Sequence, residues 1–275
     1  MRESLPFGQN LMARPLVTDA LWARIEPLLP PPKQRRRRYP GRKPVDRRKV
    51  LAGIIFVLRT GIPWEELPCE MGCCGMTCWN YLQAWQKAGV WQALHEVLLD
   101  ELQEYGRIDW SRAAIDSTMA RALGGGDKTG PNPTDRRKLG SKHHVLTDAQ
   151  GIPLATETTA ANVPDVKELV PLLDKVPHVA GKVGHPKRRP ANLYADRGYD
   201  SDPHRAEIKA RGIKPHIARR YTGHGSGLGV FRWVVERTES WIHSFRKLRL
   251  RTDRDGLIHD AFVALASALI CTWLL

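Results

Sequence analysis

No long hydrophobic run occurs in this chain: the longest apolar stretch, AFVALASALICTWLL, ends at Leu275 and follows Asp260 directly. A membrane span needs roughly 20 apolar residues, so a buried helix is expected there and no membrane partner. The N-terminal residues MRESLPFGQNLMARP lack the apolar segment and small-residue cleavage site of a secretory signal, which points to the cytoplasm, with Met12 as an alternative start. Cysteine is sparse, 5 in 275 residues. Four of them, Cys69, Cys73, Cys74 and Cys78, crowd into one segment, a pattern that fits a reducing compartment better than a disulfide framework. Structural zinc draws its ligands from two separated arms, and no second arm is evident. The glycine-rich segment YTGHGSGLG lacks the GK[ST] ending of a nucleotide loop, and no Tyr or Ser stands in a context that would activate it as a covalent nucleophile.

Negative charge is also in short supply. Against 43 Lys and Arg stand 29 Asp and Glu, a net charge of +14. Such an excess favours a polyanionic partner, and double-stranded DNA is the leading one. The charge concentrates at Lys33, Arg35, Arg36, Arg37, Arg38, Arg42, Lys43, Arg47, Arg48 and Lys49, opposed only by Asp46. Clustered cations release counterions when they meet phosphates, whereas a plain solubilising tether would need no such density.

The residue pattern changes from helical periods to alternating strands near residue 106, which places a boundary between residues 1–105 and residues 106–275. Upstream, Thr18 caps a helix bearing Leu21, Trp22, Ile25, Leu28 and Leu29, and Asp46 caps a second whose Val50, Leu51, Ile54, Ile55 and Leu58 form a stripe ended by Gly61. A third helix starts at Thr77, with Trp79, Leu82 and Trp85 inward and Asn80, Gln83 and Lys87 on the opposite face. Those polar types read base edges, so this is the candidate recognition helix of a helix-turn-helix unit, although any exposed helix carries a polar face. Trp91, Leu94, Leu98 and Leu102 define a fourth.

Downstream, RAAID, HHVLTD, IPLATETTA, NLYAD and IKPHIA read as strands, the second and third as a hairpin. Helices are expected over residues 166–173, capped by Asp165, and over residues 204–211 and 231–245. The order is β-β-β-α-β-α, and it brings the ends of the first and fourth strands together if both run parallel. Asp116 and Asp196 would then converge, with Glu236 on the last helix as third acid and Glu239, one turn on, as its rival. Carboxylates facing an open site suit Mg²⁺ or Mn²⁺, which keep several waters and accept substrate phosphate as further ligands. Singly, each acid reads better as a strand-end cap, a turn residue or half of a surface ion pair, and only their joint appearance favours a shared site.

The pieces IDST, YADRGYD and RWVVERTESWIHSFRKLR, with LVTDALWARIEPLLPP, GIPWEELP, GMTCWNYLQAWQKAGVW and GSKHHVLTDAQGIPLATETTAANVPD in this order, resemble bacterial insertion-sequence transposases of the DDE class, in the insertion-sequence-five family. The similarity covers nearly the whole chain. It implies an α/β fold, a ribonuclease-H-like mixed sheet flanked by helices and preceded by an all-α, helix-turn-helix-like module. It implies further that Asp116, Asp196 and Glu236 are the catalytic, metal-binding triad, serving two ions in DNA cleavage and strand transfer. The implied partners are the terminal inverted repeats and target DNA, the implied form a homodimer or higher oligomer on DNA, and the implied setting the bacterial nucleoid.

The family's glutamate helix follows Y-x₂-R-x₃-E-x₆-K, and here only Arg232 and Glu236 match. Gly229 stands in place of the Tyr and His243 in place of the Lys, so Arg237 or Arg246 is expected to supply the missing phosphate contact. Lys142 and His144 resemble residues lining the site, His144 more as a structural group. The short interval between Asp196 and Glu236 leaves no room for a large insertion domain. A nuclease of the same fold that cuts without joining, or a helix-turn-helix regulator needing only the first hundred residues, are the competing readings.

Overall fold

The computed structural model of the chain describes residues 15–32, 37–39, 41, 43–181, 183–221 and 227–275. Lys33, Arg35, Arg36 and Arg42 of the basic segment, and most of YTGHGSGLG, lie outside the described residues.

Helix α1 (Asp19–Ile25) starts where the Thr18 hydroxyl accepts the Leu21 N–H at 3.1 Å. Helix α2 (Arg47–Thr60) is capped by Asp46, which accepts the Arg48 N–H at 2.8 Å, and stops at Gly61 with φ +73°. Helix α3 (Gly75–Lys87) begins two residues before the expected Thr77, and its first residue packs so closely on Trp64 that a Cβ on Gly75 would lie 1.8 Å from the Trp64 carbonyl oxygen. Helix α4 (Val90–Glu104) buries Trp91, Leu94, Leu98 and Leu102 as its spacing requires.

The sheet is built from β1 (Ala113–Ala122), β2 (Gly130–Pro131), β3 (Leu139–Asp148), β4 (Pro153–Ala160), and, after α5 (Leu169–Asp174), from β5 (Asn192–Ala195). There follow α6 (Asp202–Ala210), β6 (Lys214–Ile217), α7 (Gly229–Ser244), α8 (Arg246–Arg249), β7 (Leu250–Arg251) and α9 (Gly256–Leu274). β1, β3 and β4 form the expected antiparallel meander; β5 joins β1, and β6 joins β5, in parallel across helical connections. Taken as β4-β3-β1-β5-β6, this is the ribonuclease-H-like mixed sheet.

Two further local expectations change. β1 does not end at Asp116: β3 supplies backbone partners as far as Gly140, so the strand continues to Ala122 and Asp116 sits inside it. Asp165 does not cap a helix; it opens a single 3₁₀ turn, Asp165–Glu168, and its carboxylate is drawn instead to Ser117 and Lys142. The short β2 and β7 had no signal in the pattern, being two residues each.

The apolar C-terminal stretch becomes α9, which carries Phe262, Leu265 and Leu269 into the centre of the molecule. It is the one helix among the described residues long and apolar enough to cross a membrane, and 67% of its apolar window is buried within the protein. One continuous core joins it to α2, α3 and α4 and to the sheet, so the helices before residue 106 share their packing with the last helix of the chain.

Candidate active site

Parallel pairing of Ala113 with Leu193 and Ala114 with Tyr194 sets the site. The same register carried forward places Asp116 level with Asp196, which follows the last residue of β5 and starts a 3₁₀ turn by accepting the Gly198 N–H at 2.7 Å. Residues 80 positions apart thus meet at the point where β5 leaves the sheet. Asp116 accepts the Ser117 N–H at 2.9 Å, and its Oδ2 is gripped by the Arg232 guanidinium. Its carboxyl nevertheless titrates above the usual range. Burial is the largest cause and the Asp196 charge adds to it, together outweighing the attraction of Arg232.

Helix α7 lies across Asp116 and presents Arg232, Glu236, Glu239 and His243 along one face, since positions 4, 7 and 11 residues apart recur on one side of a helix. The two glutamates differ sharply. Glu236 is exposed. Glu239 has an Oε1 buried without a hydrogen-bond partner, and burial, followed by the Asp116 and Glu236 charges, pushes its carboxyl up to about 9. At neutral pH it is therefore a carboxylic acid, not a carboxylate.

The expected cationic contacts divide into two groups. Arg232 reaches the acids, but Arg237 projects from another side of α7: its guanidinium stacks 4.8 Å from the Trp233 ring centre and 4.6 Å from that of Trp241, and donates to the Gln150 carbonyl. His243 packs against His143, with 3.4 Å between His243 Nε2 and His143 Nδ1, and His143 Nε2 is 2.8 Å from His259 Nε2. Burial holds His143 down to about 3 and lowers His243 and His259, so this chain of imidazoles is neutral. Lys142 is buried and committed, donating to Asp165 Oδ1 at 2.7 Å and to the Val163 carbonyl at 2.8 Å. His144 pairs with the Thr159 hydroxyl at 2.8 Å and is held to about 4, chiefly by burial. Arg246 is exposed beside the end of α2, where Gly61 leaves room for its Cβ. Lys247, its neighbour, is buried and engages Thr252 and Asp253.

On α3, Asn80 and Lys87 are exposed and Gln83 is half-buried, while Leu82 and Trp85 face the core. Arg37 and Arg38 are exposed, the latter over the Tyr39 ring. The cysteines are free thiols; Cys73 and Cys78 sulfurs lie 3.4 Å apart and Cys78 is buried.

Two adjacent carboxylates with oxygen donors are the ligand chemistry that Mg²⁺ or Mn²⁺ takes. Among the described residues, no three His, Cys, Asp or Glu side chains converge on one point as a ready-made metal cage. The pair is the part that fits, with water and substrate phosphate as the remaining ligands such ions accept. The Arg232–Asp116 pair, the burial of the Glu239 Oε1 and the contacts of Asp165 with Ser117 and Lys142 were missed by sequence reasoning. Only the 4- and 7-residue spacing along α7 hinted at the first two.

Comparison with known proteins places the chain among mobile-element enzymes. Residues 17–95 match the family model described as "Putative transposase of IS4/5 family", and residues 111–227 match "Transposase DDE domain". The chain is 58% identical over 147 residues to the "Putative transposase for insertion sequence element IS402" of Burkholderia cepacia, a match that spans 54% of this chain and 70% of that protein. It is 32% identical over 122 residues to the transposase for insertion sequence element IS1106 of Neisseria meningitidis serogroup B, spanning 41% and 38% respectively. Among solved structures, a pre-cleavage Mos1 transpososome aligns over 85% of this chain and 80% of that one, with 10% identity and a TM-score of 0.26.

Proposed function

The chain belongs to the IS4/5 family of DDE transposases, and from that premise we propose that it binds the terminal inverted repeats of its insertion sequence, cuts the DNA there, and joins the freed 3′-hydroxyls to target DNA. The observation that carries this reading is the register-level meeting of Asp116 and Asp196 beneath helix α7. We assign residues 1–105 to DNA binding and residues 106–275 to catalysis.

Asp116 and Asp196 would hold Mg²⁺ or Mn²⁺, with a glutamate of α7 as third acid. Such ions, when bound there, would supply Lewis-acid activation of an attacking oxygen and charge stabilisation of a leaving one. The side chains supply the rest. Arg232, placed beside Asp116, neutralises that acid in the resting site and offers a planar fork to a phosphate oxygen when DNA enters. Arg246 and the exposed face of α3, with Asn80, Gln83 and Lys87, contact DNA away from the cut, as do Arg35, Arg36, Arg37 and Arg38 of the basic segment. Assembly as a dimer or higher oligomer on paired DNA ends completes the proposal.

Glu236 takes the third place by its match to the family spacing. The buried, unpaired Oε1 of Glu239 beside Asp116 favours a second reading, in which Glu239 ionises into that role once positive charge arrives.

The test is a supercoiled plasmid carrying the element's ends, incubated with Mg²⁺. Asp116→Asn and Asp196→Asn should abolish cutting and leave end binding intact, since the amide keeps the shape and loses the charge. Wild-type protein should yield joined products. Cut ends without joining would support the nuclease reading, and cutting at the wild-type rate by either Asn variant would refute the site.

A further inference from the structure

Asp165 opens the turn after β4, and its two carboxylate oxygens face different neighbours. Oδ1 accepts from the Ser117 hydroxyl at 2.7 Å and from the Lys142 ammonium at 2.7 Å. Ser117 directly follows Asp116 on β1, and Lys142 is only 4% exposed. A buried ammonium locked to a carboxylate and a backbone carbonyl is spent on holding structure in place, since leaving either partner unpaired there is costly. Oδ2 points the other way, toward Gly198. It lies 3.5 Å from the position a Cβ on that glycine would take, and Asp196 Oδ1 lies 2.9 Å from the same position. The turn Asp165–Glu168 also packs on the turn Arg197–Tyr199 that follows Asp196. Asp165 therefore bonds to the β1 side of the site through Ser117, and its turn packs on the β5 side.

Tyr199, in the turn that follows Asp196, is 1% exposed and its hydroxyl is buried. Lys142 pairs with Asp165, and Arg232 with Asp116.

We propose that Asp165 is a further acidic residue of the site, a positioning residue that ties the Asp116 strand to the Asp196 turn and holds the two carboxylates at the spacing a divalent cation needs. This rests on the metal-binding reading of Asp116 and Asp196 given above. Lys142 is its anchor and Ser117 its link to β1. Gly198 is the space that lets Asp165 and Asp196 approach.

The test uses the full chain without DNA and reads Mn²⁺ binding by titration calorimetry, alongside plasmid cleavage and thermal melting. Asp165→Asn should weaken Mn²⁺ binding about tenfold or more, the usual effect of removing a partner that orients metal ligands. Because that variant strands the buried Lys142, the double variant Asp165→Asn with Lys142→Met removes both charges and should recover wild-type melting while Mn²⁺ binding stays weak. Wild-type Mn²⁺ affinity in a folded double variant overturns the proposal. If the double variant does not fold, Ser117→Ala, which leaves the Lys142–Asp165 pair intact, decides: weakened Mn²⁺ binding supports the link through β1, and unchanged binding overturns it. Asp116→Asn is the control. If it binds Mn²⁺ normally, the metal-binding reading itself fails; if it loses Mn²⁺ while the Asp165 variants keep it, only the role of Asp165 is withdrawn.

Discussion

Arg232 and Asp116, 116 residues apart in sequence, form an ion pair that fastens helix α7 to the middle of β1. Both side chains are less than a fifth exposed, so the pair is a partly desolvated contact and not a surface bridge.

Removing one partner of such a pair leaves an uncompensated charge, which costs on the order of 3 kcal/mol when burial is complete and less here. Arg232→Met should therefore lower the melting temperature by several degrees, and Mg²⁺ should restore part of the loss by taking over the role of counter-charge at Asp116. Arg232→Lys keeps the charge without the planar fork. It should fold like wild type and cut plasmid more slowly; single-turnover rates equal to wild type would confine Arg232 to a structural role.

The third acid is decided by comparing Glu236→Gln with Glu239→Gln in the same plasmid assay. Loss of cutting in the first alone supports the family spacing. Loss in the second alone supports the buried carboxyl next to Asp116.

Glu239 also sets an expectation for stability against pH. Its folded carboxyl is pushed up to about 9 from an ordinary 4.5. Between those values the unfolded chain has lost the proton and the native chain keeps it, so the native state binds more protons and stability falls as pH rises through the window. Thermal melts should decline from about pH 7 to about pH 9 in wild type, with a flatter profile and a higher melting point at the alkaline end in Glu239→Gln. Parallel profiles for the two proteins would show that Glu239 is ionised in the native state.

Below pH 6.5 the buried histidines act with the opposite sign. His95, His143 and His144 are held to about 4, 3 and 4, mainly by burial. The unfolded chain takes up protons that the native one refuses, so stability present above pH 6.5 is lost on acidification toward those values. Replacing His143 by Gln should shallow that acid limb in circular-dichroism titrations.

DNA recognition should separate into two effects. Substituting Arg37 and Arg38 by Ala, with or without Arg35 and Arg36, should weaken binding to all sequences alike and flatten the salt slope. Gln83→Ala and Asn80→Ala should instead narrow the gap between end and random DNA, by roughly 1–3 kcal/mol for each side chain that pairs in bidentate fashion with a base. An unchanged specificity ratio for both would remove α3 from base reading.

The order of elements, the caps at Thr18 and Asp46, the hairpin of β3 and β4, and the two apolar strands leading to Asp116 and Asp196 were all legible in the residues, because caps, periodicity and turn chemistry are local. So was the single face of α7 that carries Arg232, Glu236, Glu239 and His243, which follows from helical geometry alone. Local chemistry does not say how far a strand is paired, which is why β1 passes through Asp116 where an end was expected. Nor does it say which way a charged side chain turns. Arg237 lies between two tryptophans, Lys142 reaches back to Asp165, and Glu239 rather than Glu236 turns a carboxyl oxygen inward near the Asp116 charge, because each follows the neighbours that the sheet and α7 bring within a few ångströms. Burial and proximity, the two quantities that shift a proton affinity or hold a carboxylate in place, exist only once distant segments pack.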